Sequence, residues 1–275
     1  MDGFYCGDII GNSYTHENES YNHKTKNFEL FTDRSKFSDD TILSFATIKF
    51  LMQNEKTPYK MAEIIKEFYS CYPDKNPTIY GQAFASWAEN GCKTLRESLS
   101  NGGAMRISPV GWFASTSEEI DSLVDIILTP THNTQLAKEG ARVVCYSIFF
   151  LRQGLSKEML KDRIEEIFKI DLDEKINEYR NKYAYTSSAI ETVRPALISF
   201  LNSNSYEDCI RNAVSFGGDT DTITTIASSI AEAFYGVDEE IKIKAYSYLP
   251  KDFKELLSQF NNFISNKNIS LVKTL

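Results

Sequence analysis

From Thr222 onward, Ile223, Ile226, Ile230 and Phe234 recur at three- and four-residue intervals, the spacing of one face of an α-helix. The opposite side carries Thr224, Ala227, Ser228 and Ala231, all small or nearly so. A helix that is apolar or small on almost every side belongs in the middle of a protein, enclosed by neighbours that approach it closely. Gly236 stands where such a helix would be capped. The rest of the chain supplies the partners in the same rhythm. Ile42, Phe45, Ala46 and Phe50 follow Asp40, with Lys49 at the margin, and Met61 to Tyr69 repeats the pattern. Between Thr134 and Leu151 the small residues Ala137, Gly140 and Ala141 precede Val144, Ile148 and Leu151, and Gly154 closes the run. Glycine and proline are sparse, at 13 and 7, and strand-like alternation is rare. The expectation is an all-α fold over 1–275, with no fixed-period repeat and no linker to divide it. Ser156 to Lys182, rich in Lys, Glu and Asp, predicts peripheral charged helices over 158–182. The Asn- and Lys-rich end, 262–275, is expected to fray.

A net charge of −8 makes the surface a poor match for nucleic acid or anionic membranes, so nucleic acid enters only as a modified substrate. No window approaches the roughly 18 uninterrupted apolar residues of a membrane span. The first residues do not read as a signal peptide, and lipidation motifs are absent. Cys6, Cys71, Cys92, Cys145 and Cys209 are odd in number, scattered and free of any CxxC. They read as reduced thiols of a cytoplasmic protein rather than a disulfide or zinc framework.

The sharpest chemical signals are two acidic clusters, each directly before a helical pattern. One is Ser38-Asp39-Asp40-Thr41, the other Gly217-Gly218-Asp219-Thr220-Asp221-Thr222. Helix capping accounts for one acidic or hydroxyl side chain at a helix start, and taken singly each cluster is consistent with a cap. Two carboxylates at each start exceed that need. Neighbouring carboxylates such as Asp39 and Asp40 diverge by about 100° around a helix and can address different points. If the two starts meet, four carboxylates share one pocket and must take up protons or bind cations, with two divalent ions matching their charge. An oxygen-only ligand set favours Mg²⁺, Mn²⁺ or Ca²⁺. The histidines, His16, His23 and His132, show no zinc spacing.

Between the clusters lies Ser100-Asn101-Gly102-Gly103-Ala104-Met105-Arg106. Two glycines let a backbone come close to a ligand, and N–H groups exposed there can hold phosphate oxygens. A tight interhelical turn with a structural arginine is the plainer alternative. The segment is neither a Walker A loop nor GxGxxG. His132, just before the long helix, is a ligand contact at the pocket mouth or simply a satisfied polar group. No serine or cysteine nucleophile has partners at recognisable spacing.

Taken in order, Gly7-Asp8-Ile9-Ile10-Gly11, Ser38-Asp39-Asp40-Thr41, Asn101-Gly102-Gly103-Ala104-Met105-Arg106, Thr131-His132 and Gly217-Gly218-Asp219-Thr220-Asp221-Thr222 resemble the ADP-ribosylglycohydrolase family. The family includes the dinitrogenase reductase-activating glycohydrolases and the ADP-ribosyl-acceptor hydrolases. The resemblance runs from about Gly3 to about Phe260. It implies an orthogonal, single-domain helical fold with two Mg²⁺ or Mn²⁺ ions in a central cleft. It implies metal ligands at Ser38, Asp39, Asp40, Asp219, Asp221 and Thr222. Asn101, Gly102 and Gly103 would face the diphosphate of ADP-ribose, with His132 beside the ligand and Arg106 in a structural role.

One position departs from the family pattern. A glutamate is usual seven residues after the Asp of the GD motif, thought there to gate the site, bind metal or act as an acid/base; here that place holds Thr15. A short insertion between Asn12 and Glu19 would move the role to Glu19, with Glu17 nearby; both are alternatively exposed loop carboxylates. The implied activity is metal-dependent hydrolysis of the C1″ glycosidic bond of an ADP-ribosylated protein or other acceptor, releasing ADP-ribose. Glu19 or Glu17 would handle protons, and Asp40 and Asp221 would hold the metals. Arginine, serine, a nucleobase, O-acetyl-ADP-ribose and poly(ADP-ribose) all fit as acceptors. Thr15 keeps a second reading open, an ADP-ribose reader with little turnover.

Overall fold

The structure, a computed structural model, describes residues 1–15, 24–73 and 79–272, with side chains through 267. Its described residues form fourteen α-helices. In order these are α1 (Gly3–Asn12), α2 (Asp39–Leu51), α3 (Pro58–Cys71), α4 (Gln82–Glu89), α5 (Ser108–Phe113), α6 (Ser117–Leu128) and α7 (Gln135–Arg152). They continue as α8 (Lys157–Phe168), α9 (Ile176–Lys182), α10 (Ala189–Leu201), α11 (Tyr206–Val214), α12 (Thr220–Tyr235), α13 (Glu239–Tyr248) and α14 (Lys251–Val272). Among the described residues extended pairing is limited to two isolated bridges, Glu97 with His132 and Ser100 with Ser188. The chain is all-α, as its periodicity predicts.

Helix α12 is the centre. Thirteen consecutive residues from Thr220 to Glu232 are buried, and α1, α7, α10 and α11 all pack on it. Gly236, with φ +75°, ends it in the left-handed region that a side chain would resist. Among the described helices, the contact between α1 and α12 is the most extensive. Gly3, Gly7 and Gly11 lie one turn apart on α1 and face Ser228, Thr224 and Thr220 on α12. A Cβ added at each would stand 2.6 Å from Ser228 O, 2.4 Å from Thr224 O and 2.5 Å from Thr220 O. The two backbones therefore touch through bare glycine, which no other residue permits.

Most of the other buried apolar residues join one core around this pair. The charged stretch folds as α8 and α9, which bury only Leu160, Ile164 and Tyr179. Of the tail 262–275, α14 includes residues up to Val272, and 273–275 lie outside the described residues. Lys267 Nζ there donates to Phe113 O and Glu119 Oε1, both at 2.8 Å, and sits over the Phe113 ring. Those long-range partners hold a segment whose composition alone favours solvent.

Candidate active site

Helices α2 and α12 begin beside one another at the foot of a cleft of about 970 Å³, a size typical of small-molecule sites. Each start is capped in part from elsewhere. At α2, Ser38 Oγ accepts from Asp40 N at 3.2 Å, and the carboxylate of Asp8, projected from α1, does the rest. Asp8 Oδ2 accepts from Ser38 N (2.8 Å), Thr41 N (3.1 Å) and Thr41 Oγ1 (2.5 Å), while Oδ1 accepts from Ser38 Oγ (2.8 Å). At α12, Asp219 occupies the cap position, yet its side chain makes no capping bond. The N–H of Asp221 is instead donated to Thr15 Oγ1 at 2.9 Å. Gly217 and Gly218, with φ +72° and +71°, form the left-handed turn that delivers this start.

Asp219 is thus released from capping, Asp221 Oδ1 accepts the Thr222 N–H at 3.0 Å, and the carboxylates of the two clusters converge. Asp40, Asp221 and Asp8 each bring a carboxylate oxygen within 4.8 Å of the others, all three residues being buried. Thr222 Oγ1 donates across to Asp40 Oδ2 at 3.3 Å, and Asn12 Nδ2 to Asp221 Oδ2 at 3.4 Å. Asp40 Oδ1 is buried without any hydrogen-bond partner. An orphaned carboxylate oxygen beside two further carboxylates is costly unless a proton or a cation completes it. Burial, and then the charge of Asp221, raise the Asp39, Asp40 and Asp219 carboxyls well above the usual carboxylate range. The same two causes push Asp8 up to about 7. The donors are all oxygen, so the cluster fits a hard divalent cation.

Another stretch of the lining has a different character. Residues 96, 98 and 100 line the cleft, alternating with exposed Leu95, Glu97 and Leu99 as in an extended segment. Arg96 is partly buried there, with no hydrogen bond or ion pair to its guanidinium among the described residues. Ser98 Oγ, Ser100 Oγ and His132 Nε2 form a chain with steps of 2.9 and 3.0 Å. His132 Nδ1 meets Thr131 Oγ1 at 2.8 Å, and Arg106 Nη2 donates to that hydroxyl at 2.6 Å. Burial, helped by Arg106 and Arg96, depresses the His132 pKa well below its ordinary value, so the imidazole is neutral. Arg106 is wholly buried, lines the cleft, and leaves Nε and Nη1 without partners.

The Gly-rich segment is a 3₁₀ turn, Asn101–Gly103. Asn101 Nδ2 ties it to the second acidic cluster, donating to Asp219 Oδ2 at 2.6 Å and to Thr192 Oγ1 at 3.1 Å. Gly102 lines the cleft, and a Cβ there would lie 3.1 Å from His132 Nε2. Gly103 is not among the lining residues; its absent side chain makes room for Leu128, 3.0 Å from where a Cβ would be. Asn101, His132, Ser38, Asp39, Asp40, Asp219, Asp221 and Thr222 all line the same cleft. Glu17 and Glu19 fall outside the described residues. Thr15 is buried and does not line the cleft; its hydroxyl serves α12. Sequence reading missed Asp8 as a structural acceptor, Thr15 as a cap, and Arg96 as part of the cleft. The GD motif marked Asp8 without revealing a partner.

A model of the ADP-ribosylglycohydrolase family matches residues 1–267. The chain belongs to this family. Its relatives include the human ADP-ribosylhydrolase ARH3, 24% identical over 268 residues, covering 76% of this chain and 73% of that one. The uncharacterized protein YegU of Escherichia coli is 26% identical over 256 residues, covering 78% and 76%. Among solved structures, an ADP-ribosylglycohydrolase-related protein complex superposes with a TM-score of 0.65 at 20% identity, over 96% of this chain and 92% of that one. That likeness establishes the shared helical fold. Family membership makes the chain a hydrolase acting on ADP-ribosylated substrates. No helix among the described residues is long and apolar enough to cross a membrane.

Proposed function

We propose that this ADP-ribosylglycohydrolase cleaves the C1″ glycosidic bond of an ADP-ribosylated acceptor with two divalent ions, Mg²⁺ or Mn²⁺, and releases ADP-ribose. The observation that carries the reading is the mixed lining of the cleft. One part of the lining gathers buried carboxylates around the unpartnered Asp40 Oδ1, and another carries Arg96 with the buried guanidinium of Arg106. A ligand suited to both carries an anion at one end and a polyhydroxyl group at the other, which describes an ADP-ribosyl group.

Ser38, Asp39 and Asp40 from α2, with Asp219, Asp221 and Thr222 from α12, would hold the ions. When bound, such ions neutralise the cluster, orient ribose hydroxyls and lower the pKa of a coordinated water. The chain's own residues do the remaining work. Asn101 fixes Asp219 and keeps the 3₁₀ turn against the acidic wall. Gly102 leaves space beside His132, whose neutral ring can meet a ligand hydroxyl or phosphate without adding charge. Diphosphate binding along residues 96–102 uses binding energy remote from C1″ to position the reacting carbon. Departure of the acceptor through an oxocarbenium-like transition state needs a group to manage protons, and Glu19 or Glu17 takes that role.

A second reading is favoured by Thr15, which caps a helix and offers no carboxylate to the cleft. On that reading the chain binds ADP-ribose and turns over little. The test is incubation with ADP-ribosylated arginine, serine and nucleic-acid substrates in Mg²⁺ or in EDTA, with released ADP-ribose quantified by chromatography. Release from one acceptor, lost in EDTA, is the expected result. Tight ADP-ribose binding with no release from any acceptor would overturn the hydrolase reading in favour of the reader.

A further inference from the structure

The last turn of α1 and the residues just beyond it reach both acidic helix starts. Asp8 closes the start of α2 from the side, with four hydrogen bonds. Seven residues on, Thr15 does the same for α12. Its Oγ1 accepts the N–H of Asp221 at 2.9 Å, lies 2.7 Å from Thr220 Oγ1 and 3.3 Å from Gly11 O, and is buried. Thr220 Oγ1 donates in turn to Gly11 O at 3.1 Å. These hydroxyls form a knot between the end of α1 and the first turn of α12.

A helix start has free N–H groups, and an Asp or Asn at the cap position ordinarily turns its own side chain back onto them. Asp219 sits at that position and does not do so; its carboxylate is held by Asn101 in the cleft. Asp221 likewise faces the cleft, where Asn12 meets Oδ2. The Asp219 carboxylate is left free of the helix because Thr15 takes the Asp221 N–H, while Asp221 Oδ1 takes the Thr222 N–H at 3.0 Å.

We infer that Thr15 is a positioning residue for the cation site: by taking the Asp221 N–H it leaves the Asp219 carboxylate free for the cleft and fixes the first turn of α12 that carries Asp221. This inference rests on the reading of the acidic cluster as a cation site. It predicts that the hydroxyl, and not merely the volume, of residue 15 matters. Valine has the shape of threonine without the acceptor, and serine has the acceptor without the methyl.

The test compares the full-length protein with Thr15→Val and Thr15→Ser. Mn²⁺ binding is followed by electron paramagnetic resonance of the free ion, and exchange of the Asp221 amide by NMR. Thr15→Val should bind Mn²⁺ about fivefold to tenfold more weakly at unchanged helical content, the scale of a lost cap, while Thr15→Ser stays within about twofold of wild type. The Asp221 amide should be protected in wild type and in Thr15→Ser and exposed in Thr15→Val. Equal Mn²⁺ affinity in wild type and Thr15→Val would overturn the inference, as would equal losses in both variants. If Thr15→Val fails to fold, a rapidly exchanging Asp221 amide in the wild-type protein overturns it by itself. Absence of Mn²⁺ binding by wild type would instead refute the cation-site reading, and the exchange data would still decide whether Thr15 caps Asp221.

Discussion

Replacing Gly7 by alanine tests whether bare backbone contact between α1 and α12 holds the site together. The added Cβ would stand 2.1 Å from Ser228 Oγ and 2.4 Å from Thr224 O. Ser228 can turn away by rotating χ1, at the loss of its bond to Gly3 O. Thr224 O is backbone inside a buried helix, so relief requires the two helices to separate. Overpacking of this kind costs about 1–3 kcal/mol, and a backbone collision belongs at the upper end. Alanine returns about 1 kcal/mol of helix propensity, leaving a net loss of about 2 kcal/mol. For a chain of this size that is a fall of about 3–4 °C in melting temperature. Gly81→Ala is the control, since nothing lies within 4 Å of its Cβ, and it should melt as wild type does. The double change Gly7→Ala with Ser228→Ala removes the side-chain collision but not the one with Thr224 O, so it should stay destabilised. Thermal unfolding by circular dichroism reads all three. A Gly7→Ala melting temperature within about 1 °C of wild type, or full recovery in the double variant, would refute backbone contact as the constraint.

Two further outcomes follow from the charges of the cleft. Asp8, at about 7, and the still more strongly raised Asp39, Asp40 and Asp219 hold protons in the metal-free fold that the unfolded chain releases near pH 4. The native state then binds more protons over that interval, so this contribution to stability is full below about pH 4 and is lost as pH rises through about 7. Melting scans in Mg²⁺ or Mn²⁺, each compared with a scan in EDTA, should therefore show the gain from the metal growing between pH 5 and 8; a gain that shrinks over that range would contradict the assignment. Asp221→Asn removes the charge that raises its neighbours, and should abolish metal-dependent turnover, by at least about a hundredfold, while leaving helical content intact. Its metal-free form should melt no lower than wild type at pH 7.5; retained turnover would sink the role of Asp221.

How much of this was legible depends on the range of the interactions. The start of α12 could be read because its cause is local: two carboxylates and two threonines stand directly before an apolar helical run. The identity of its cap could not, because Thr15 and Asp221 are 206 residues apart. Position 15 was noticed only as the place where a glutamate is missing, and the positive reason for a threonine needs the geometry. Asp8 is similar: a carboxylate in an otherwise apolar and glycine-rich helix signals a buried partner without naming Ser38 and Thr41, 30 and 33 residues on. Gly102 and Gly103 differ in their surroundings. Adjacent glycines suggested two backbone positions open to a ligand, but only Gly102 borders the cleft, and Gly103 is small for the sake of Leu128.

The glycines of α1 join these observations into one physical account. Gly7 and Gly11 sit on either side of the turn that begins with Asp8, and their contact with α12 sets the distance between the helix that carries Asp8 and the helix that carries Asp221. A carboxylate cluster spread over α1, α2 and α12 tolerates little drift, because the charges repel and only a fixed spacing lets one cation satisfy several of them. Packing at van der Waals distance between two backbones is the stiffest means a helical protein has of fixing such a spacing, since no side chain is left to rotate. The same contact that makes Gly7→Ala costly is therefore expected to make it weaken cation binding beyond its effect on stability. Mn²⁺ affinity measured at a temperature where the variant is fully folded separates the two effects, and an affinity equal to wild type there would show that α1 supports the fold without setting the site.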